Sequence, residues 1–279
     1  MTRRAAITGY PVTHSRSPLI HTHWLASHGI DGVYERIAVP PEMADRFYRT
    51  LGDQGLVGCN VTVPNKEAAA AACATLDEAA RAMGAANLLW VEEDGRVHGA
   101  NTDGLGFLGN LDQMAPGWDS GLREAVVLGA GGAARAIVWA LLSRGVKTVT
   151  IVNRTRSKAE ELCARFGSDS KAAGWGEIPY LLGTAGLLVN TTSLGMQGQP
   201  PLQIDLAPLP VSALVTDAVY APLETPLLAA ARARGNVTVD GLGMLLHQAV
   251  PAFERWFGVR PQVTDELRAL LLADLGVAA

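Results

Sequence analysis

Cysteine, aromatic side chains and charge are all scarce in this sequence. Its three cysteines, Cys59, Cys73 and Cys163, are odd in number and form no CxxC pair. That excludes a disulfide framework and a cysteine-built zinc site, and it suits a reducing, cytoplasmic compartment. Charged residues make up only 18% of the chain and the net charge is −4, so no surface for nucleic acid or another polyanion is expected. No apolar run approaches the length of a membrane span, so no membrane partner is expected. Met1-Thr2-Arg3-Arg4 leads into a short strand rather than an apolar stretch, and no signal peptide is expected. His21 and His23 stand two apart, on different faces of a helix, and are not read as a metal pair; no metal site is expected.

What is present in quantity is alanine, glycine and short Val/Ile/Leu runs. The chain is 48% hydrophobic over 279 residues, enough for one large or two ordinary domains. Alanine-rich helical stretches alternate with the short apolar runs, the pattern of an α/β protein with mainly parallel sheets. Ala5 to Thr8, Val33 to Val39 and Leu56 to Val63 read as early strands. Ser17 and Pro18 open a helix, Ser17 as its cap, that Gly29 closes. Glu93-Asp94-Gly95 marks a hairpin. Asp103 to Met114 is helical, Gln197 to Pro210 is a long loop, and Thr264 caps a terminal helix.

The stretch from Ala125 to Ala136 organises the chain. An apolar strand ends in a glycine turn that leads into a helix, and the turn reads Gly129-x-Gly131-x-x-Ala134, a dinucleotide fingerprint. Gly129 permits the tight turn, Gly131 lets the backbone approach a pyrophosphate, and Ala134 lets helix and strand pack closely. The following strand, Lys147 to Val152, ends at Asn153-Arg154-Thr155, with Lys158 one helical turn on. An NAD site usually carries a carboxylate at about this place. A cation here favours the 2′-phosphate of NADP, which arginine can grip bidentately.

Polar residues crowd at other strand ends, where α/β proteins keep their sites. Ser15 and Ser17, at a helix start, suit a small carboxylate, although Ser17 as a cap would explain itself. Asn60 and Thr62 alternate with Val61 and Val63 and share a face. Lys66 follows Pro64 and could protonate or polarise a reacting oxygen; it could equally be a solvated lysine. Asp103, in Asn101-Thr102-Asp103-Gly104, could orient a lysine, cap its own helix, or do both.

Taken in order, Gly9 to Pro18, Asn60 to Lys66, Asn101 to Gly104, Gly129 to Arg135, Asn153 to Thr155, Asn190 to Met196, Asp217 to Tyr220 and Gly241 to Ala249 resemble the shikimate/quinate dehydrogenase family over nearly the whole chain. The resemblance implies an α/β chain with a Rossmann NADP-binding domain, 105–241, inserted between two parts, 1–104 and 242–279, of a substrate-binding domain, with a cleft between the domains. It implies NADPH-dependent reduction of 3-dehydroshikimate to shikimate, on the route to chorismate and the aromatic amino acids. Lys66 and Asp103 resemble the catalytic pair. Ser15 and Ser17 resemble the carboxylate-binding pair; Thr62, Asn87, Asn101 and Gln248 resemble the groups on the ring hydroxyls, with Tyr220 near the reacting centre. Gly129, Ala130, Gly131, Gly132 and Ala133 would face the pyrophosphate. Asn153, Arg154, Thr155 and Lys158 would face the 2′-phosphate, and Gly241 and Met244 the nicotinamide end. The chain departs from the pattern at Leu88, where threonine is common, and at Thr22, where asparagine is common. Some family members accept quinate or use NAD; Ser17 leans toward shikimate and Arg154 toward NADP. A nicotinamide-binding regulatory protein would have no need of Lys66 and Asp103. A monomer and a homodimer are both compatible with the sequence.

Overall fold

The computed structural model describes residues 2–277. The chain forms two compact units, one up to Thr102 and again from Gln248 onward, the other from Asp103 to His247. The first unit opens with β1 (Arg3–Gly9), α1 (Ser17–Ser27), β2 (Gly32–Ala38), α2 (Pro41–Arg49) and β3 (Gly58–Val61). It continues with α3 (Lys66–Ala72), β4 (Thr75–Leu76), α4 (Glu78–Met83), β5 (Leu88–Val91) and β6 (Val97–Ala100). The strand order is β2-β1-β3-β5-β6-β4. β1 runs parallel to β2 and β3, β5 is antiparallel to β3 and β6, and β4 is parallel to β6. Because β5 runs against its neighbours, its start lies at the same sheet end as the finishes of β3 and β6. That end carries the polar loops.

The second unit contains α5 (Asp103–Met114), β7 (Glu124–Leu128), α6 (Gly132–Ser143), β8 (Thr148–Asn153), α7 (Arg156–Phe166) and β9 (Ser170–Gly174). Then come α8 (Ile178–Leu182), β10 (Leu187–Asn190), β11 (Leu214–Asp217), α9 (Pro226–Ala233) and β12 (Thr238–Val239). Its sheet is wholly parallel in the order β12-β11-β10-β7-β8-β9, the doubly wound arrangement of dinucleotide-binding domains. Alternation along β7 splits the core into two layers: Ala125 and Val127 join the cluster with α6, and Val126 and Leu128 join the one with α9. Burial on both faces is why these strands read as unbroken apolar runs. The boundary between the units falls inside α10 (Leu242–Phe257), and α11 (Asp265–Asp274) belongs to the first unit. None of the helices among the described residues is long and apolar enough to cross a membrane.

Several local expectations hold. Gly29, at φ +62°, follows the end of α1, the Glu92–Arg96 hairpin joins β5 to β6, and Thr264 accepts from Leu267 N at 3.2 Å. One is corrected: Ser17 does not cap α1. It is the first helical residue, and its own backbone N–H donates to Ser15 Oγ at 3.3 Å. The third strand is also shorter than expected, ending at Val61 with Thr62 already in the loop.

Beneath α1 lies an aromatic nest. His21 is fully buried and stacked on Tyr34 at 4.0 Å between ring centroids, 8° from coplanar, with Trp24, Phe253 and Trp256 around it. Neither ring nitrogen of His21 has a hydrogen-bond partner. Burial, opposed more weakly by the neighbouring Asn60 side chain, brings the His21 pKa down from 6.5 to about 3. Below pH 6.5 the unfolded chain therefore takes up a proton that the folded chain refuses. Stability is kept above that pH and falls as pH drops toward 3. Urea unfolding at pH 7.5 and 5.5 is expected to differ by about 1 kcal/mol from this residue. The difference should largely vanish in His21→Phe; an unchanged difference in that variant would place its source elsewhere.

Candidate active site

In the first unit, candidate site residues gather on the loops after β1 and β3, with the start of β5 and the end of β6. The two loops lie side by side, Tyr10 N donating to Val63 O at 3.2 Å. A Cβ on Gly9 would sit 2.5 Å from Thr62 Cγ2, so glycine there lets Thr62 close in. Ser15 Oγ donates to Ser17 Oγ at 3.3 Å. Arg36 on β2 clamps the Ser15 carbonyl with Nε at 3.2 Å and Nη2 at 2.6 Å.

Lys66 is half-buried at the first position of α3, and its carbonyl accepts from Ala86 N at 2.9 Å. The preceding Asn65 is buried and donates through Nδ2 to Val39 O at 2.7 Å. Asn87, Thr102 and Gln248 form one knot. Asn87 Oδ1 accepts from Thr102 N at 2.8 Å, Asn87 Nδ2 donates to Thr102 Oγ1 at 3.1 Å and to Gln248 Oε1 at 3.5 Å, and Thr102 Oγ1 donates to Gln248 O at 2.8 Å. Asn101 is buried and donates to Ala85 O and, through its backbone, to Asp77, the cap of α4. Asp103 begins α5, in the second unit. Leu88 is 3% exposed within β5, so this departure from the family pattern is a core position.

In the second unit, candidate site residues surround the glycine turn after β7. Gly129 has φ +107°, and a Cβ there would meet Thr191 Oγ1 at 2.6 Å. Gly131 caps α6 in an extended conformation, and a Cβ on it or on Gly132 would meet nothing within 4 Å. That is the open backbone a pyrophosphate needs. Ala134 is fully buried against the core. After β8, Asn153 Nδ2 donates to Thr155 O at 2.9 Å. Arg154 and Lys158 are exposed and, among the described residues, pair with no carboxylate, whereas Arg156 is taken by Glu160 and Glu177. Asn153 and Arg154 line a cavity of about 640 Å³ with Trp175, Thr192, Leu194 and Gln203.

Under the loop after β10 sits a buried carboxylate. Asp217 accepts from Asn190 Nδ2 at 2.9 Å, Val219 N at 3.0 Å and Thr225 Oγ1 at 2.8 Å, and Asn190 Oδ1 accepts from Thr192 N at 3.0 Å. Burial pushes its pKa up, against the pull of these bonds. This network leads the chain through Val219 to the half-buried Tyr220. Gly241 is pressed on Ala218 O, 2.6 Å from where its Cβ would stand, and Met244 packs against the sheet's core. Among the described residues no group of three or more His, Cys, Asp or Glu could hold a metal ion.

Sequence reasoning singled out the loop residues, Asn60 among them, but missed their supports: Tyr34, Arg36 and the Trp175 wall of the cavity. Each stands in an ordinary strand or turn pattern, and only cross-strand register brings it to the site.

A doubly wound sheet with a glycine turn at the start of its first helix, coupled to a second α/β unit rich in hydroxyl and amide groups, defines a two-domain nicotinamide-dinucleotide oxidoreductase class. Family models for the shikimate dehydrogenase substrate-binding domain, for shikimate/quinate 5-dehydrogenase and for the shikimate 5′-dehydrogenase C-terminal domain match residues 7–89, 116–195 and 241–271. A shikimate dehydrogenase (NADP(+)) of Mesorhizobium japonicum is 60% identical over 98% of this chain and 97% of its own length. The chain belongs to the shikimate dehydrogenase family. Among solved structures it resembles the Thermus thermophilus shikimate 5-dehydrogenase in complex with NADP(H) and shikimate, at TM-score 0.84 and 34% identity over 98% of this chain and 100% of that one. It also resembles the Corynebacterium glutamicum quinate dehydrogenase in complex with NAD, at TM-score 0.89 and 30% identity over 98% and 99%.

Proposed function

We propose that this chain catalyses the reversible, NADPH-dependent reduction of the 3-keto group of 3-dehydroshikimate to shikimate, in the biosynthesis of chorismate and the aromatic amino acids. The observation that carries this reading is the row of hydroxyl and amide groups at one sheet end, from the Ser15–Ser17 pair to the Asn87–Thr102–Gln248 knot. A small polyhydroxylated carboxylate matches that row. The name of the 60% identical relative supports it. In this reading 1–104 with 242–279 form the substrate domain, and 105–241 form a Rossmann domain set between its two parts. The three free thiols fit a cytoplasmic enzyme.

Ser15 and Ser17 donate to the substrate carboxylate. Thr62, Asn87, Asn101 and Gln248 hold the ring hydroxyls, with Tyr220 beside the reacting carbon. The open backbone at Gly131 and the uncommitted cations Arg154 and Lys158 fit NADP. Gly129 to Ala133 would take its pyrophosphate, Asn153, Arg154, Thr155 and Lys158 its 2′-phosphate, and Gly241 and Met244 its nicotinamide end. NADPH, when bound, supplies the hydride. The Lys66 ammonium stabilises the negative charge growing on the carbonyl oxygen and gives that oxygen its proton. Asp103 orients the ammonium, and the hydroxyl-binding groups hold the ring in register with it.

The test is nicotinamide absorbance during oxidation of shikimate and of quinate, each with NADP and with NAD. Turnover of shikimate with NADP, and little with the other three pairs, is the expected result. Quinate turnover with NAD would move the chain to the quinate branch. Silence in all four, from folded protein that still binds NADP, would leave a binding protein without this activity.

A further inference from the structure

We propose that Tyr34 is a positioning residue for substrate, its hydroxyl setting the spacing between the carboxylate-binding serines and the ring-binding Asn87. The proposal rests on the substrate reading above.

Tyr34 lies on β2 opposite Ala5 of β1. Its ring cannot swing, because it is stacked on the buried His21 and flanked by Trp256. The hydroxyl is its one polar atom, and a phenol has one proton to give and lone pairs to accept with. It donates to Asn60 Oδ1 at 2.7 Å. That bond fixes which way the Asn60 amide faces, so that Nδ2 donates to the Asn87 carbonyl at 3.1 Å. Val61 N donates to the same carbonyl at 2.9 Å, and the Asn87 side chain then engages Thr102 and Gln248. On its other side the Tyr34 hydroxyl faces the Ser17 side chain.

The result is a hydrogen-bonded line from Tyr34 to Asn60 to Asn87 that begins beside Ser17, itself bonded to Ser15. Tyr34, Asn60 and Ser17 are all buried, at 6%, 3% and 5% exposure. In a low-dielectric interior such chains polarise one another, and a member left without its partner is costly. The line ties the two ends of the proposed substrate site together within the first unit, whereas the glycine turn that would hold the cofactor belongs to the second. Losing its central hydroxyl should therefore weaken the grip on shikimate and leave the grip on NADP alone.

The experiment is Tyr34→Phe, which removes one oxygen and keeps the stack. The shikimate KM is expected to rise about tenfold. The change in kcat should stay within about threefold, the NADP KM should not move, and circular dichroism should be unaltered. A structural role alone would lower thermal stability without this selective rise. Asn60→Ala interrupts the line one link later and should give the same shikimate-selective rise; it carries the test if Tyr34→Phe does not fold. An unchanged shikimate KM in the folded variants, or an equal rise for both substrates, overturns the role of Tyr34. A wild-type protein that does not turn over shikimate overturns the substrate reading instead, so the two failures are distinct.

Discussion

Lys66→Ala is expected to lower kcat by about 10²- to 10⁴-fold while NADPH binding and folding stay as they are. The backbone around Lys66 is anchored independently of its side chain, through Ala86 N on its carbonyl and the Asn65 bond to Val39 O. Alanine is the better helix former, and a cation in the first turn of a helix faces the positive end of the dipole. The helix itself therefore gains nothing from a lysine over an alanine at this position. The truncated protein should melt at the same temperature or slightly higher. Single-turnover reduction and fluorescence titration of NADPH separate the two effects. Unaltered turnover would remove Lys66 from the chemistry, and weaker NADPH binding would turn it into a cofactor residue.

The sequence was most legible where structure is local. The β7 turn and α6 declare themselves because an apolar run, a glycine turn and a helical stretch lie side by side in the chain. The hairpin at Glu93-Asp94-Gly95 and the cap at Thr264 are equally local. What could not be read depends on tertiary partners. β4 has two residues, and β9 reads Ser-Lys-Ala-Ala-Gly with no β-branched side chain. Both exist because a neighbouring strand offers hydrogen bonds, β6 to the first and β8 to the second. α8 begins beside Pro179 and has five residues, too few for a helical period to show. Ser17 was read as a cap because its residue type and the following proline fit one; the turn from Val12 to Ser15 instead brings Ser15 Oγ under the Ser17 N–H.

The same limit governs the site. Ser15, Lys66, Asn87 and Gly131 stand in motifs whose residue types suggest chemistry. Arg36 and Tyr34 stand two apart on β2, where the pattern shows only alternation. Their work follows from register: Arg36 lies opposite Ile7 and Tyr34 opposite Ala5, which carries their polar ends toward the Ser15 carbonyl and Asn60. Asp217 likewise collects donors from Asn190, 27 residues before it, and Thr225, eight residues after it. These supporting residues decide how firmly the motif residues are held.

Gly131→Asp is expected to abolish NADP binding without loss of stability, and Gly129→Ala is expected to do the reverse in its first effect. Gly131 is extended, at φ −90° and ψ −165°, and space is open where its Cβ would stand. It occupies the cap position of α6, where aspartate is among the preferred residues and its charge suits the dipole. Folding stability should hold or rise by a few tenths of a kcal/mol, roughly the cap difference. The carboxylate would stand where the backbone N–H groups would otherwise meet the pyrophosphate. Loss of those charge-assisted bonds alone should weaken NADP binding at least about a hundredfold. Gly129 has no such freedom. Its φ of +107° strains any L side chain, and the added Cβ would press on Thr191 Oγ1, which donates to Leu128 O at 2.6 Å. Gly129→Ala should cost about 2–4 kcal/mol of stability, with weaker NADP binding as a consequence. Urea unfolding and NADP titration on the two variants separate the cases. If Gly131→Asp instead unfolded the domain, or bound NADP as the unaltered chain does, the turn would be a structural feature of the Rossmann unit and not its phosphate cradle. The two glycines stand two residues apart in one motif, yet one is required by the chain's own packing and, in the proposed reading, the other by a ligand.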